Sequence, residues 1–193
     1  MQQPLSRRLI RSMRHIQTVA LDLFEAEGYA AVTIEQVAEA AEVSAPTIYR
    51  QFGSKERLVQ WDEYDPFLLA SIAQRIGTEP PIRAIRDGLV SALDSFSAAE
   101  IDRLLRRIRL HAANPELRAA NAGDIDKLRL DLTELLEGSS GIGGAFDAAI
   151  LAAATVGIFR VIVEEWLRTG GTTSLRAIFD EAFERLARLV SQS

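Results

Sequence analysis

The chain has 193 residues, 48% of them hydrophobic and 25% charged, and a formal net charge of −5. That length suits one large domain or two small ones with about 70% of the unfolded surface buried, and the composition is that of a globular protein, not a disordered or fibrous one. With no cysteine and only His15 and His111, a disulfide framework, a thiolate metal site and a histidine cluster are excluded, so no metal or other cofactor is expected.

The charge is unevenly spread. Residues 1–15 hold Arg7, Arg8, Arg11 and Arg14 and no acid, while over residues 1–60 basic and acidic residues balance, which leaves the net charge of −5 on the remainder. Charge acts locally, so this front end is compatible with nucleic-acid binding despite the acidic total. No apolar stretch of about 7–15 residues follows the arginines. A secretion signal is therefore not expected, and a cytoplasmic location is.

From about Arg8 to Glu27, the residues Met13, Ile16, Ala20, Leu23 and Phe24 recur at helical spacing, and Gly28 stands where a helix would end. Thr33 with Gln36 three residues on forms a capping-box pattern. It opens a short helix through about Ala41, with Ile34, Val37, Ala38 and Ala41 inward. Glu42 and Val43 make a tight turn. Ser44 is a preferred N-cap residue for a third helix, Ala45 to Phe52, in which Pro46 is tolerated because first-turn amides have no partner inside the helix. Gly53 closes that helix and Ser54 caps the next.

From Lys55 a longer helix is predicted to about Arg75, bent near Pro66 by the missing amide. Pro80 and Pro81 mark the next boundary. Helices then cover about 81–96, 98–113, 115–137, 145–169 and 174–191, opened in several cases by Ser97 with Glu100, by Asn114 before Pro115 and by Ser174. Residues 138–144 read as a flexible linker. No alternation of period two bounded by turn signals appears, so no sheet is expected. The reading is an all-α chain of about nine helices, with an N-terminal three-helix domain at 1–54 and a larger helical domain at 55–193.

Two short helices joined by a three- or four-residue turn match the helix-turn-helix that enters the major groove of DNA. Val37, Ala38, Val43, Ile48 and Phe52 supply the small core that locks the pair. This leaves Ala45, Pro46, Thr47, Arg50 and Gln51 facing outward.

The segments ALDLFEAEGYAAVT and VTIEQVAEAAEVSAPTIYRQFGSKERLV resemble the DNA-binding signature of the tetracycline-repressor-like (TetR) family. The resemblance covers about residues 10–60. It implies a two-fold dimer on double-stranded operator DNA, a third helix that reads the bases, and a helical body that binds a small-molecule effector. It places Thr33, Tyr49 and Lys55 at phosphates and Ala45, Pro46, Thr47 and Gln51 nearest the base edges, with Ser44 and Arg50 completing the DNA-binding set. Physical warrants stand beside it. Tyr49 carries a hydroxyl on a rigid ring, and Thr33 and Lys55 lie at helix starts whose free amides favour an anion. Gln51 can read adenine, Thr47 can meet a thymine methyl, and Arg50 can reach guanine or a phosphate. The chain departs from the family pattern at Glu42, where the turn usually has glycine, and at Pro46, where a small flexible residue is frequent.

In the body, Ala148–Val163 is almost continuously apolar, but Asp147 precedes it, Arg160 interrupts it and two glutamates follow. A membrane span wants about 20 such residues, so no membrane is expected, and a helix apolar nearly all round must be covered on two faces. The last helix puts Leu175, Ile178, Phe179, Ala182, Phe183, Leu186, Leu189 and Val190 on one stripe. By resemblance, helices 145–169 and 174–191 pair with their copies in a homodimer, with Ala148, Ala149, Ala152 and Ala153 permitting close approach.

A ligand pocket is expected to be lined by Phe67, Leu93, Phe96, Ile108, His111, Phe159 and Trp166. Arg103, Arg106, Arg107 and Arg109 read as a solvated face, with the phosphates of a coenzyme-A thioester as a second use. Gly141, Gly143 and Gly144 make only a loose loop with no following lysine, and no nucleophile or metal set accompanies them. No enzyme is expected. The chain reads as a sequence-specific transcriptional regulator, a repressor released from DNA by a small apolar ligand; the alternative is a regulator whose body binds a protein partner.

Overall fold

The computed structural model describes residues 6–61, 65–139 and 141–191, and their side chains except at 65, 66, 187 and 189–191. Ten helices run in order: α1 Arg7–Glu27, α2 Ile34–Ala40, α3 Ala45–Phe52, α4 Lys55–Gln60, α5 Asp65–Ala73, α6 Pro81–Asp94, α7 Ala98–Ala113, α8 Pro115–Glu137, α9 Ala145–Arg168 and α10 Leu175–Ser191. Among the described residues there is no strand, only an isolated bridge between Ile76 and Glu79. The all-α expectation holds with one helix more than the sequence suggests.

The extra helix comes from residues 55–75, expected as one helix and found as two. Trp61 ends α4 in an extended conformation (φ −51°, ψ 121°), and α5 starts at Asp65. Pro66 then sits in the first turn of α5, where a missing amide costs nothing; any bend at its side chain, like the outward or inward placement of Leu189 and Val190, lies outside the described side chains.

The chain forms two compact units, Met1–Glu63 with Asp102–Asn121, and Tyr64–Ile101 with Ala122–Ser193. The division expected after residue 54 falls inside the first of these. The physical reason is that α4 buries Leu58 and Val59 in the same core as α1 to α3, and that Leu110 and Leu117 also belong to that core.

In the first unit α1 buries Met13, Ile16, Ala20, Leu21 and Phe24, the stripe that its periodicity requires. The Thr33–Gln36 capping box forms as expected, with Gln36 N donating to Thr33 Oγ1 at 3.2 Å and Thr33 N to Gln36 Oε1 at 2.7 Å. Val37, Ala38, Ile48 and Phe52 are buried and Val43 packs against them. Glu42 holds the turn at φ 55°, a left-handed conformation that costs a non-glycine residue about 1 kcal/mol. Hydrogen bonds from Val43 N to Ala38 O at 2.9 Å and from Glu42 N to Glu39 O at 3.1 Å fix it. Gly53 closes α3 at φ 86°, where glycine is favoured.

In the second unit α5 and α6 cross closely at Gly88. A Cβ there would lie 2.8 Å from the Ile72 Cα. Phe159 of α9 meets Phe179 of α10 edge-on at 5.8 Å, and Phe179 stacks on Phe183 at 6.4 Å. Arg86 of α6 binds Asp180 of α10 at 3.0 Å, and Arg176 of α10 reaches both Asp180 and Asp94.

Helix α9 departs from its expectation. By length and composition it is apolar enough to cross a membrane, yet only 17% of that window is buried. Ala148, Ala152, Thr155, Ile162 and Trp166 are covered, whereas Phe146, Ile150 and Val161 are exposed. The fold of one chain covers one face of α9, not two.

Candidate nucleic-acid interface

The helix α3 is anchored by Ile48 and Phe52 on its inner side. Its outer side carries Pro46, Tyr49 and Arg50, all exposed, with Tyr49 at 48%. Ala45 and Thr47 are half-buried at its start. Gln51 is half-buried as well, and its Oε1 is enclosed with no hydrogen-bond partner among the described residues. The expected outward set is thus divided, with Gln51 turned partly into the unit.

Ser44 stands at the N-cap of α3 but makes no side-chain cap bond. Its hydroxyl instead meets the Thr47 hydroxyl at 2.8 Å, while the Thr47 amide donates to the Ser44 carbonyl at 2.8 Å. Pro46 has no amide proton and the Thr47 and Ile48 amides both turn to the Ser44 carbonyl, so of the first-turn amides of α3 only that of Ala45 is left to suit an anion. Thr33 is exposed at the start of α2, its hydroxyl engaged in the capping box. Arg7, Arg8 and Arg11 are exposed along the first turns of α1.

Lys55 is placed differently from an open phosphate contact. Its ammonium donates to the Tyr29 carbonyl and lies 4.2 Å from the centre of the Tyr29 ring and 5.5 Å from that of Phe24. Burial holds its pKa below the ordinary lysine value, against the raising effect of Glu56 and Glu116. Burial in the same nest, with Glu56 and Glu116 nearby, pushes the Tyr29 hydroxyl well above its usual range.

Apart from Arg109, the arginines of α7 are not the solvated face that their spacing suggests. Arg103 and Arg107 are buried, at 9% and 8% exposure. Arg106 binds Glu25 at 2.9 Å and Asp22 at 2.5 Å across to α1. Arg109 is exposed. The guanidiniums of Arg106 and Arg107, committed to carboxylates and to the Val59 and Gln60 carbonyls, are not available to a coenzyme's phosphates, so these two give no support to an acyl-coenzyme-A site. Residue spacing along one helix could not disclose this, because the partners are on α1 and α4.

The sequence does not single out Gln17, and it offers Arg107 only as part of a solvated face or a coenzyme-phosphate site. Gln17 could have been found: it is a polar residue set among Met13, Ile16, Ala20 and Leu21, all buried.

Of the residues expected to line a pocket, Leu93 and Trp166 are buried, Phe96 and Phe159 half-buried, and Phe67 is 45% exposed in the second unit. Ile108 and His111 belong to the first unit. The second unit holds two cavities that these residues do not line. One, of about 330 Å³, has almost entirely apolar walls that include Ile85, Leu151, Thr155, Ile158, Phe183 and Leu186 from α6, α9 and α10. The other, of about 390 Å³, is an open groove between Leu69, Ala70 and Ala73 of α5 and Asp131, Glu134 and Leu135 of α8.

Comparison with known proteins gives two family matches along the chain, and the second runs through residues 102–121, which pack in the first unit. Residues 16–60 match the family described as "Bacterial regulatory proteins, tetR family", and residues 79–191 match the "MftR C-terminal domain". The chain is 27% identical to the HTH-type transcriptional regulator TcmR of Streptomyces glaucescens, over 93% of this chain and 84% of that protein. It is also 27% identical to a putative mycofactocin biosynthesis transcriptional regulator, MftR, of Mycobacterium tuberculosis, over 96% of each. Among solved structures, NalD of Pseudomonas aeruginosa, the secondary repressor of the MexAB-OprM efflux pump, superposes with a TM-score of 0.62 at 19% identity. That match covers 95% of this chain and 97% of NalD.

Proposed function

The chain belongs to the tetR family of bacterial regulatory proteins and is a DNA-binding transcriptional regulator, and from this premise we propose that it is a cytoplasmic homodimeric repressor that a small apolar ligand releases from its operator. The observation that carries the reading is the exposed outer side of α3, where Pro46, Tyr49 and Arg50 project from a helix fixed by Ile48 and Phe52. Arg50 suits guanine, Thr47 and Pro46 suit a thymine methyl, and Tyr49 and Thr33 suit phosphates. Gln51, with its Oε1 enclosed, contributes less to base reading than its amide alone would suggest.

A second copy supplies the missing cover of α9. Phe146, Ile150, Ala153, Gly157 and Val161 lie at helical spacing on its exposed side, and small residues between large ones let two such helices approach closely. Two-fold symmetry of the protein matches two-fold symmetry of an operator. The cavity of about 330 Å³ has the size and apolar walls of a small-ligand site. Ligand held there would favour the state in which the two readers no longer fit successive major grooves, about 34 Å apart.

Selection of bound fragments from random DNA tests the reading. It is expected to return two-fold symmetric sites whose half-sites lie one helical turn or a small multiple apart, and Val161→Glu is expected to abolish that symmetry. Repeating the selection with small apolar compounds is expected to identify those that lower recovery. Recovery of asymmetric single sites would overturn the dimer, and no preferred sequence would overturn the reader.

A further inference from the structure

The end of α4 is held by two buried side chains from other helices. An α-helix leaves its last four carbonyls without intrahelical donors, and α4 has only six residues. Gln17 of α1, 1% exposed, donates from Nε2 to the carbonyls of Leu58 and Trp61, each at 2.9 Å. Arg107 of α7 donates from Nε to the Val59 carbonyl at 3.1 Å and from a terminal nitrogen to the Gln60 carbonyl at 3.2 Å. Four successive carbonyls, 58 to 61, are thus met from outside the helix. A guanidinium fork spans two neighbouring carbonyls where a single donor could not, and its charge suits the negative end of a helix.

This clamp is linked to the reader. Trp61, whose carbonyl Gln17 holds, sets its ring edge-on against Phe52 at 6.0 Å and an interplanar angle of 87°. Phe52 is the last residue of α3. Contacts therefore run from Arg107 through the end of α4 and the Trp61 ring to the base of the helix that presents Tyr49 and Arg50. Burying an arginine is costly, and an apolar side chain of similar volume often serves stability equally well. What an apolar residue could not supply is the directional hold on two carbonyls.

We propose that Arg107 is a positioning residue for DNA recognition: from outside the helix-turn-helix it fixes the end of α4, and through Trp61 on Phe52 it sets the pose in which α3 meets the bases. The proposal rests on α3 being the reader. Its mark is a loss of discrimination, because a residue that only stabilised the fold would change binding to operator and to random DNA alike, through the folded fraction.

The test uses the full chain and the sequence that the wild type selects from random DNA. Arg107→Met keeps the bulk and removes the donors; Arg107→Lys keeps the charge but places its donors on a single nitrogen, without the fork. For protein shown to be folded by circular dichroism, Arg107→Met is expected to lower the ratio of operator to random-DNA affinity at least fivefold, with Arg107→Lys intermediate. If Arg107→Met does not fold, a smaller reduction in the same ratio, about twofold to threefold, is expected of Arg107→Lys. A ratio within experimental error of wild type in the folded variants would overturn the proposal while leaving α3 as reader. A wild type that selects no sequence would overturn both.

Discussion

The Lys55 ammonium lies 4.2 Å from the centre of the Tyr29 ring and donates to the Tyr29 carbonyl. A cation over an aromatic face contributes about 0.5–2 kcal/mol, more as water is excluded. Lys55→Ala is therefore expected to lower stability by about 1 kcal/mol in urea denaturation. Because the charge is committed within the protein, the slope of log affinity against log salt is expected to stay as in wild type. A slope reduced by about 1 would instead mean that the ammonium leaves Tyr29 for a phosphate.

The outer side of α3 separates Arg50 from Gln51. Arg50 is exposed, so Arg50→Ala is expected to flatten the preference at one position of the selected site, at about 1–3 kcal/mol for the lost base contact. Gln51→Ala removes a half-buried amide whose Oε1 has no partner. It is expected to leave the selected sequence unchanged, and a new consensus from that variant would return Gln51 to the bases.

Gly88 leaves room for the backbone of Ile72. A methyl at that point would sit 2.8 Å from the Ile72 Cα and 2.9 Å from its nitrogen, with backbone atoms that cannot rotate away. Overpacking of this kind costs typically about 1–3 kcal/mol. Gly88→Ala is expected to lose about that much in denaturant unfolding, although alanine is the better helix former. A variant as stable as wild type would mean that α5 and α6 separate freely.

Asp180 links α6 and α10 through Arg86 and Arg176. Burial acts to raise its pKa, but the two guanidiniums outweigh it and hold the carboxyl below its ordinary value of 3.8. The folded state therefore favours the charged form. The resulting stability is present above about pH 4 and is lost as pH falls through the lowered folded value. Asp180→Asn is expected to cost roughly 1 kcal/mol at neutral pH, allowing for partial exposure, and less below pH 4. An equal cost at pH 7 and pH 3 would show that packing, and not charge, is what the carboxyl supplies.

What the sequence discloses is local. The Thr33–Gln36 box, the glycine after Phe52 and the buried stripe of α1 each lie within a few residues of what they determine, and each is found where spacing puts it. Gln17 and Arg107 reach carbonyls 41 and 48 residues away, a distance at which periodicity carries no information. The same holds for the arginines of α7, whose helical spacing is equally that of a solvated face and of a face laid against α1. Helix α9 fails for a related reason: apolar composition states that a surface needs cover, not whether this chain or another provides it. The cavities depend on how α5, α6, α8, α9 and α10 meet, so a lining chosen from large apolar residues missed both.

The first unit joins Met1–Glu63 to Asp102–Asn121, and that has a consequence for the order in which the protein is made. When residue 63 leaves the ribosome, Leu110 and Leu117 have not been synthesised, and the segment that supplies them emerges roughly 40 residues later. At about 5–20 residues per second this is a delay of several seconds, during which the apolar surface that they cover stays open. The DNA reader, although encoded first, is completed only after α5, α6, α7 and the start of α8 have been made. A chimera that grafts only residues 1–60 onto another body would carry that open surface permanently, and a transplant that keeps 102–121 with it would not.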